Sequence, residues 1–495
     1  MFKKVLVANR GEIARRVMFT CREMGIATVA VYSDVDRQAV HVLDADQAVC
    51  LGDADPAESY LNINKIIAAA RETGAEAIHP GYGFLSENAE FATRCAEEGV
   101  VFIGPPAHVI SDLGDKITAR NIMIKGNVPV IPGMTQSEPD SAALAEKAAE
   151  IGYPLMIKAS AGGGGKGIRI VHTPEELKES CETASREALT AFGNGTIYLE
   201  KYFERAKHIE FQILADTHGN VVHVLERECS VQRRHQKIIE ETPSPSLNPE
   251  LRAEMGRAAV AAAVAAGYVN AGTVEFLLDE NNKFYFLEVN TRLQVEHPIT
   301  EMITGIDLVR QQLEVAAGNP LSILQDDIAG RGHAIECRVY AEDPANNFMP
   351  SPGKIEYMRE PVGPGVRNDC GVYSGFEVPI NYDPILSKLV VHAQDRKACL
   401  QRMVMSLKNY ILLGIKTPIP FLIDVLESDP FQQGKVYTDF IETYFSDWQP
   451  SFAEADIARI AFIVDEMNAN RRKKSVGPSE HAAPTPFETL GGWRL

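Results

Sequence analysis

Between residue 1 and about residue 114, short apolar runs alternate with amphipathic stretches, and this alternation restricts the fold more than any other feature. "KVLVAN", "IATVAVYS", "AEAIHP" and "VVFIGP" are β-branched and apolar, each of strand length. "GEIARRVMFTCREMG", "NINKIIAAARETG" and "SENAEFATRCAEEG" separate them with helical spacing. Such alternation predicts a doubly wound parallel sheet, whose ligands gather beyond the carboxyl ends of the strands. Those ends carry "NRGE" at 9–12, "HPGYGF" at 79–84 and "GPP" at 104–106.

A chain of 495 residues is too long for one core. From 115 to 330 the pattern becomes helix, then hairpins and long strands, with 131–200 as a candidate small subdomain. Residues 331–446 are β-rich with terminal helices, and 447–495 predict a C-terminal helix followed by a linker-like tail rich in Pro, Ser, Gly and Ala. The expected fold class is α/β, mixed α+β overall. The net charge of -18 is spread along the chain and argues against nucleic acid or an anionic membrane as partner. Eight cysteines without a C-x-x-C pair offer no zinc or redox framework and suit a reducing compartment. "MFKKVLVANRGEIARR" lacks the apolar run of a signal peptide, and no stretch reaches the ~18 apolar residues of a membrane span, so the expected location is the cytoplasm.

"ASAGGGGKGIRIV", residues 159–171, satisfies G-x-G-x-x-G through Gly162, Gly164 and Gly167. A dinucleotide fold needs a helix directly after those glycines, whereas "YPLMIKAS" before and "GIRIVHT" after are both strand-like. Lys166 is followed by Gly167 rather than Ser or Thr, which excludes a Walker A loop. A glycine tip between two strands remains, closed by a helix only at "TPEELKESCETASREALTAF". Its backbone N–H groups can wrap around phosphates; an ordinary hairpin is the alternative.

"AGTVEFLLDENNKFYFLEVNTRLQVEHP", residues 271–298, carries the densest chemistry. "TVEFLL" and "KFYFLEVN" are strands with turn residues between them. A turn at Asn281 and Asn282 sets Glu275 opposite Glu288, with Cβ atoms ~4.5–5.5 Å apart. Two facing carboxylates make sense around a cation, and oxygen ligation favours Mg²⁺ or Mn²⁺; a register shifted by one residue would instead point one glutamate to solvent. Glu288, Asn290, Arg292, Gln294 and Glu296 share parity, so an extended chain turns them to one face. A guanidinium beside a carboxylate suits an anionic substrate that must also lose a proton.

Two further clusters stand out. "ECSVQRRHQK", 228–237, gathers Arg233, Arg234, His235 and Lys237 after the strand "VVHVLER", which fits phosphate or bicarbonate binding or a surface turn. "HAIECRVYAED", 333–343, alternates and places Glu336, Arg338 and Tyr340 on one face, where Arg338 is a ligand-facing cation or a sheet ion-pair partner.

A glycine hairpin lid together with a hairpin of paired acidic residues resembles the ATP-grasp fold. "NRGEIA", "HPGYGFLSEN", "KASAGGGGKGIRIV", "CSVQRRHQK", "KFYFLEVNTRLQVEHP" and "GHAIECRVYAEDP" together resemble biotin carboxylase, in order, over residues 1 to about 446. The resemblance implies an N-terminal domain over 1–114, an ATP-grasp domain over 115–330 with a mobile glycine-rich lid near 131–200, and a C-terminal domain over 331–446. It implies ATP-dependent carboxylation of biotin through carboxyphosphate. Lys116, Lys158, Gly163, Gly164, Gly165, Glu200, His208, Gln232 and His235 would contact the nucleotide, and Glu275, Glu288 and Asn290 would hold Mg²⁺ or Mn²⁺. Lys237, Arg292, Gln294, the backbone of Val295 and Glu296 match the bicarbonate site, with Glu296 as base. Tyr82 and Gly83 match the loop that approaches biotin, and Arg338 would stabilise its ureido oxyanion. Cys229 is expected to be structural.

No Met-Lys dipeptide occurs, so the biotin is expected on a separate carrier protein. Further expected partners are a carboxyltransferase subunit, and other copies of this chain in a homodimer or larger complex. "GGWRL" resembles the segment that follows the carboxylase domain in acyl-CoA carboxylase α-subunits. The expected parent is an acyl-CoA carboxylase, with pyruvate carboxylase as alternative. A different ATP-grasp carboxylate–amine ligase and an inactive scaffold are the competing classes.

Overall fold

The computed structural model describes residues 1–135, 141–159, 168–234, 236–451 and 459–468. Strands β1 (Lys4–Val7), β2 (Ala27–Ser33), β3 (Gln47–Gly52), β4 (Ala77–His79) and β5 (Val101–Phe102) form a parallel sheet in the order β3-β2-β1-β4-β5. The expected doubly wound sheet is present. Strand β3 escaped the sequence reading because it is an edge strand, with Gln47, Ala48 and Cys50 exposed and little apolar pattern to detect. Strand order reverses between β1 and β4, and the crevice there is pinned by Asn9, whose Nδ2 donates to the carbonyls of Pro80 at 2.8 Å and Tyr82 at 2.7 Å. Gly81, at φ +64°, admits this approach; a Cβ there would stand 2.8 Å from Asn9 Nδ2.

Strands β6 (Leu155–Ala159), β7 (Arg169–Val171) and β8 (Ile197–Lys201) form a small antiparallel sheet in the order β7-β6-β8. Helices Ser141–Ile151 and Leu177–Phe192 accompany it, and Leu144, Ala148, Leu155, Ile157, Val171, Leu177 and Cys181 give it a core of its own. Both strands predicted to flank the glycine tip form and pair, Leu155 with Val171. The tip itself, with Gly162, Gly163, Gly164, Gly165, Lys166 and Gly167, lies outside the described residues.

The centre is an eight-stranded antiparallel sheet. It contains β9 (Ala206–Ala215), β10 (Val221–Arg233), β11 (Gln236–Thr242), β12 (Asn270–Asp279), β13 (Phe284–Asn290), β14 (His333–Tyr340) and the strands Ile385–Ala393 and Val366–Cys370. Their order is β13-β12-β9-β10-β11-β14, then Ile385–Ala393 and Val366–Cys370. The boundary expected near residue 330 therefore falls inside one sheet, because β11 pairs with β14 through Ile239 with Cys337 and Glu240 with Glu336. Leaving either strand as a buried edge would orphan a row of backbone donors and acceptors. Met1–Trp448 accordingly form one compact unit; the second unit, Gln449–Leu495, is described only at 449–451 and at 459–468, where the chain is helical.

Period-two alternation gives this sheet two unlike faces. Ile209, Phe211, Ile213, Val274, Phe276 and Leu278 pack with Met255, Ala259 and Ala262 of helix Pro249–Ala265. The other face carries His208, Glu210, Gln212, Thr273, Glu275, Arg227, Glu240, Glu336, Arg338 and Lys388, all buried. Arg227 lies in its middle, fully buried, with Nε 2.5 Å from Glu210 and its terminal nitrogens donating to Gln212 at 2.9 Å and to Thr273 and Thr300 at 3.0 Å.

Arg227→Met is expected to lower stability by about 3–5 kcal/mol, because it leaves buried acceptors unpaired and removes one of the two cations that hold Glu210. Arg186→Met, on an exposed helix, should stay within about 0.5 kcal/mol. Thermal unfolding of both variants checks the difference; equal midpoints would mean that Arg227 is dispensable to the sheet.

Candidate active site

The hairpin β12–β13 sets Glu275 opposite Glu288, as its sequence predicts, although by a different route. The turn is longer than two residues: Asp279 and Lys283 close it, and Asn282 takes φ +59°. This shifts the pairing near the turn, Phe276 meeting Phe286, and one extra residue in β13 restores the register at Glu275. Strand parity holds only to Asn290, where β13 ends. Beyond it the chain turns around fully buried Leu293, and Glu296 becomes the N-cap of helix His297–Thr304.

Folding by turns rather than by extension still brings three of the predicted groups, Glu275, Gln294 and Glu296, to one point, the ammonium of Lys237. Lys237 Nζ stands 2.5 Å from Glu210 Oε2, 2.8 Å from Glu275 Oε1, 2.7 Å from Glu296 Oε1 and 3.2 Å from Gln294 Oε1. Gln294 Nε2 and Asn290 Nδ2 donate to Glu275 at 2.9 and 2.8 Å. His208 Nε2 lies 2.9 Å from the other oxygen of Glu275, and Gln232 Nε2 lies 2.7 Å from His208 Nδ1. Glu296 bridges to a second cation, since its Oε2 accepts from Arg338 at 3.0 Å while Arg338 also holds Glu240 at 2.6 Å.

Electrostatics follow from this packing. Burial opposes the charge on Glu275, but Lys237 and His208 outweigh it and hold the carboxyl well below its ordinary range. Burial likewise opposes the charge on Glu296, and Lys237 with Arg338 again wins. Burial lowers His208, yet Glu275 overrides it and raises the imidazole. Cys229 is fully buried, and burial pushes its thiol well up.

The remaining predicted residues lie around this centre. Arg292 donates to Glu87 at 2.9 Å and to Asn290 Oδ1 at 2.8 Å, placing it beside the cluster rather than on Glu296. Val295 sits in the turn before the helix. Lys158 is 2.7 Å from Glu200, which Arg120 approaches at 3.4 Å. Lys116 lies 3.7 Å from Glu288, whose side chain is 42% exposed. Tyr82 donates to Glu12, and Glu12 faces fully buried Lys388 at 3.0 Å. Gly83 is exposed at the tip of that loop.

Of the basic island, only Lys237 among the described residues reaches the centre. Arg233 pairs with Glu342 at 3.2 Å and covers the ring of Phe348, and Arg234 donates to Asn347, so both tie down a neighbouring loop. His235 lies outside the described residues. Sequence reading missed Glu210, Arg227, Glu240, Glu87 and Glu12. Glu210 shares strand parity with His208, a signal that was available, whereas Glu87 meets Arg292 across 205 residues.

The donor set fits a hard cation in part. Glu275, Glu288 and Asn290 supply the oxygen donors that Mg²⁺ favours, and Glu288 is open to solvent. Both oxygens of Glu275 are engaged by nitrogen donors, so a cation there would compete with Lys237 and His208. Among the described residues the tight groupings of metal-competent atoms are His208–Glu210–Glu275 and Glu210–Cys229–Glu296, neither of which contains Glu288.

Residues 1–110, 115–324 and 336–443 match, in order, the families described as Biotin carboxylase, N-terminal domain; Carbamoyl-phosphate synthase L chain, ATP binding domain; and Biotin carboxylase C-terminal domain. A pyruvate carboxylase subunit of Methanothermobacter thermautotrophicus is 54% identical over 446 residues, 90% of this chain and 90% of that protein. Biotin carboxylase of Nostoc sp. is 52% identical over 444 residues, 89% of this chain and 99% of that protein. The biotin carboxylase domain dimer of Hydrogenobacter thermophilus 2-oxoglutarate carboxylase, solved with MgADP, ADP and bicarbonate, has a TM-score of 0.88 at 48% identity, covering 91% of this chain and 100% of that one. Fold and site thus define an ATP-dependent ligase of the ATP-grasp class. The chain belongs to the biotin carboxylase family. Among the described residues, no helix is long and apolar enough to cross a membrane.

Lys237→Met tests the cluster through pH. Glu275 and Glu296 have depressed folded values, so each contributes stability that is present above about pH 4 and is lost as pH falls through those values. Without Lys237 the carboxylates lose a main source of that depression and welcome protons. The gap in thermal midpoint between wild type and Lys237→Met should therefore be widest near pH 7 and narrow on acidification. A gap independent of pH would show that Lys237 does not set their ionisation.

Proposed function

We propose that this chain carboxylates biotin carried on a separate protein, with Lys237, Glu296 and Arg338 linking the two half-reactions. The observation that carries the reading is Glu296, whose two oxygens reach Lys237 and Arg338. One carboxylate thereby borders both the proposed bicarbonate pocket and the proposed biotin pocket.

Lys116, Lys158, Glu200, His208, Gln232, His235 and the backbone of Gly163, Gly164 and Gly165 bind ATP. Glu275, Glu288 and Asn290 would hold Mg²⁺ or Mn²⁺, which when bound supplies charge neutralisation at phosphate oxygens. Lys237, Arg292, Gln294 and the Val295 backbone position bicarbonate while Glu296 takes its proton. A bicarbonate oxygen attacks the γ-phosphorus, ADP leaves, and carboxyphosphate then breaks its C–O bond to give CO₂ and phosphate. Arg338 stabilises the negative ureido oxygen of biotin as N1′ gives its proton to the released phosphate and attacks CO₂, with Tyr82 and Gly83 bordering the ring. Closure of the lid would exclude water from the labile intermediate.

A carrier protein, a second copy of this chain and a carboxyltransferase fit as partners. Relatives of similar identity are named for pyruvate and for 2-oxoglutarate carboxylases, which supports assigning the choice of final acceptor to the carboxyltransferase.

Bicarbonate-dependent ATP hydrolysis with and without free biotin separates the roles. Arg338→Ala should keep bicarbonate-dependent hydrolysis while biotin carboxylation falls on the order of 10²–10³-fold. An equal fall in both would make Arg338 a nucleotide ligand or a purely structural residue. Glu288→Gln should abolish ATP turnover with the fold intact, because Glu288 is exposed and pairs weakly; full turnover at saturating Mg²⁺ would remove it from the metal site.

A further inference from the structure

The guanidinium of Arg338 is surrounded by more negative charge than one cation can offset. Glu240 accepts from its Nε at 2.7 Å and Glu296 from its Nη2 at 3.0 Å, while Glu336 precedes it by two residues on the same face of β14. Three ionised carboxylates would consume the positive charge that biotin needs. Glu240 and Glu336 are direct cross-strand neighbours and both are fully buried. Their Cβ atoms stand about 4.5–5.5 Å apart, close enough for the carboxyl groups to meet. Glu240 uses only Oε1; its Oε2 and both oxygens of Glu336 have no partner among the described residues. A buried acceptor facing two others calls for a donor, and one added proton turns a carboxylate into a carboxylic acid that can donate.

We propose that Glu336 is a positioning residue that carries a proton and donates it to Glu240, so that the pair holds one negative charge instead of two and Arg338 keeps charge for the ureido oxygen of biotin. The groups facing the pair carry both signs. Glu296, capping the covering helix, adds negative charge, while Arg338, Lys237 and Lys388 oppose protonation; each of these cations is also ion-paired outside the pair, Arg338 with Glu296, Lys237 with Glu210, Glu275 and Glu296, and Lys388 with Glu12. Burial pushes Glu240 up to about 7, and burial with the adjacent Glu240 pushes Glu336 well above the ordinary carboxylate range. Two carboxyls that share a proton because neither can ionise beside the other are a known arrangement, as is a carboxylic acid kept neutral by its site.

The inference rests on the proposed role of Arg338, and its test has a readout independent of that role. Infrared spectra of the full chain at pH 7, in H₂O and D₂O, should contain a deuterium-sensitive C=O stretch of a protonated carboxyl that is missing from Glu336→Gln. In the same variant the amide still donates to Glu240, so kcat/KM for free biotin should stay within about threefold of wild type. Bicarbonate-dependent ATP hydrolysis should be unchanged. Wild-type carboxylation should decline on the alkaline side as the shared proton leaves, and Glu336→Gln should lose that limb because an amide does not ionise. No difference in the carbonyl band overturns the proposal. A lost band with an unaltered alkaline limb overturns the link between the proton and Arg338. Arg338→Ala, measured in parallel, reports separately on whether Arg338 serves biotin at all.

Discussion

One partly buried ammonium organises this molecule. Lys237 faces Glu210, Glu275 and Glu296, each on a different element. An ion pair near a protein surface gains about 4 kcal/mol at 4 Å, while removing each ion from water costs several kcal/mol. One cation cannot settle three carboxylates by itself. Arg227 on Glu210, His208 on Glu275 and Arg338 on Glu296 supply what Lys237 lacks. The cluster therefore requires β9, β10, β11, β12 and β14 to be in register together, and the site is a property of the whole central sheet.

That requirement explains the division of the sheet into an apolar and a charged face. The apolar face packs with helix Pro249–Ala265 and supplies the burial that drives folding. The charged face is sealed by helix His297–Thr304, whose N-cap is Glu296 itself. Low exposure strengthens every interaction there and makes every missing partner costly. Lys237 and Arg338 are consequently held in one geometry by their carboxylate partners.

The N-terminal sheet contributes through its switch point. Asn9 clamps the carbonyls of Pro80 and Tyr82, and Tyr82 in turn reaches Glu12 on the first helix. Glu12 meets Lys388, the cross-strand partner of Arg338. The loop proposed to border biotin and the cation proposed to stabilise it are thus tied to one buried network. The proposed shared proton on Glu240 and Glu336 belongs to the same network and keeps its charge count tolerable.

Local pattern by itself determined the parallel sheet, the strands flanking the glycine tip and the common face of Glu336, Arg338 and Tyr340; the pairing of Glu275 with Glu288 also needed a bulge in β13 that the pattern does not show. These follow from periods of two and of 3.6 residues, which are written in neighbouring positions. The parity run from Glu288 to Glu296 failed beyond Asn290 because a chain turning around Leu293 no longer obeys a strand's alternation. Glu210 alternates with apolar neighbours, whereas Arg227 lies between Glu226 and Glu228 and Glu240 lies between Ile239 and Glu241, so alternation singles out neither; nor can it distinguish a solvated face from one covered by a helix. Only tertiary structure decided that this face is buried, that Glu87 meets Arg292 across 205 residues, and that Lys237 turns inward while Arg233 and Arg234 do not. The physical reason is desolvation: a charge has a partner and a protonation state only once the elements that exclude water from it are in place.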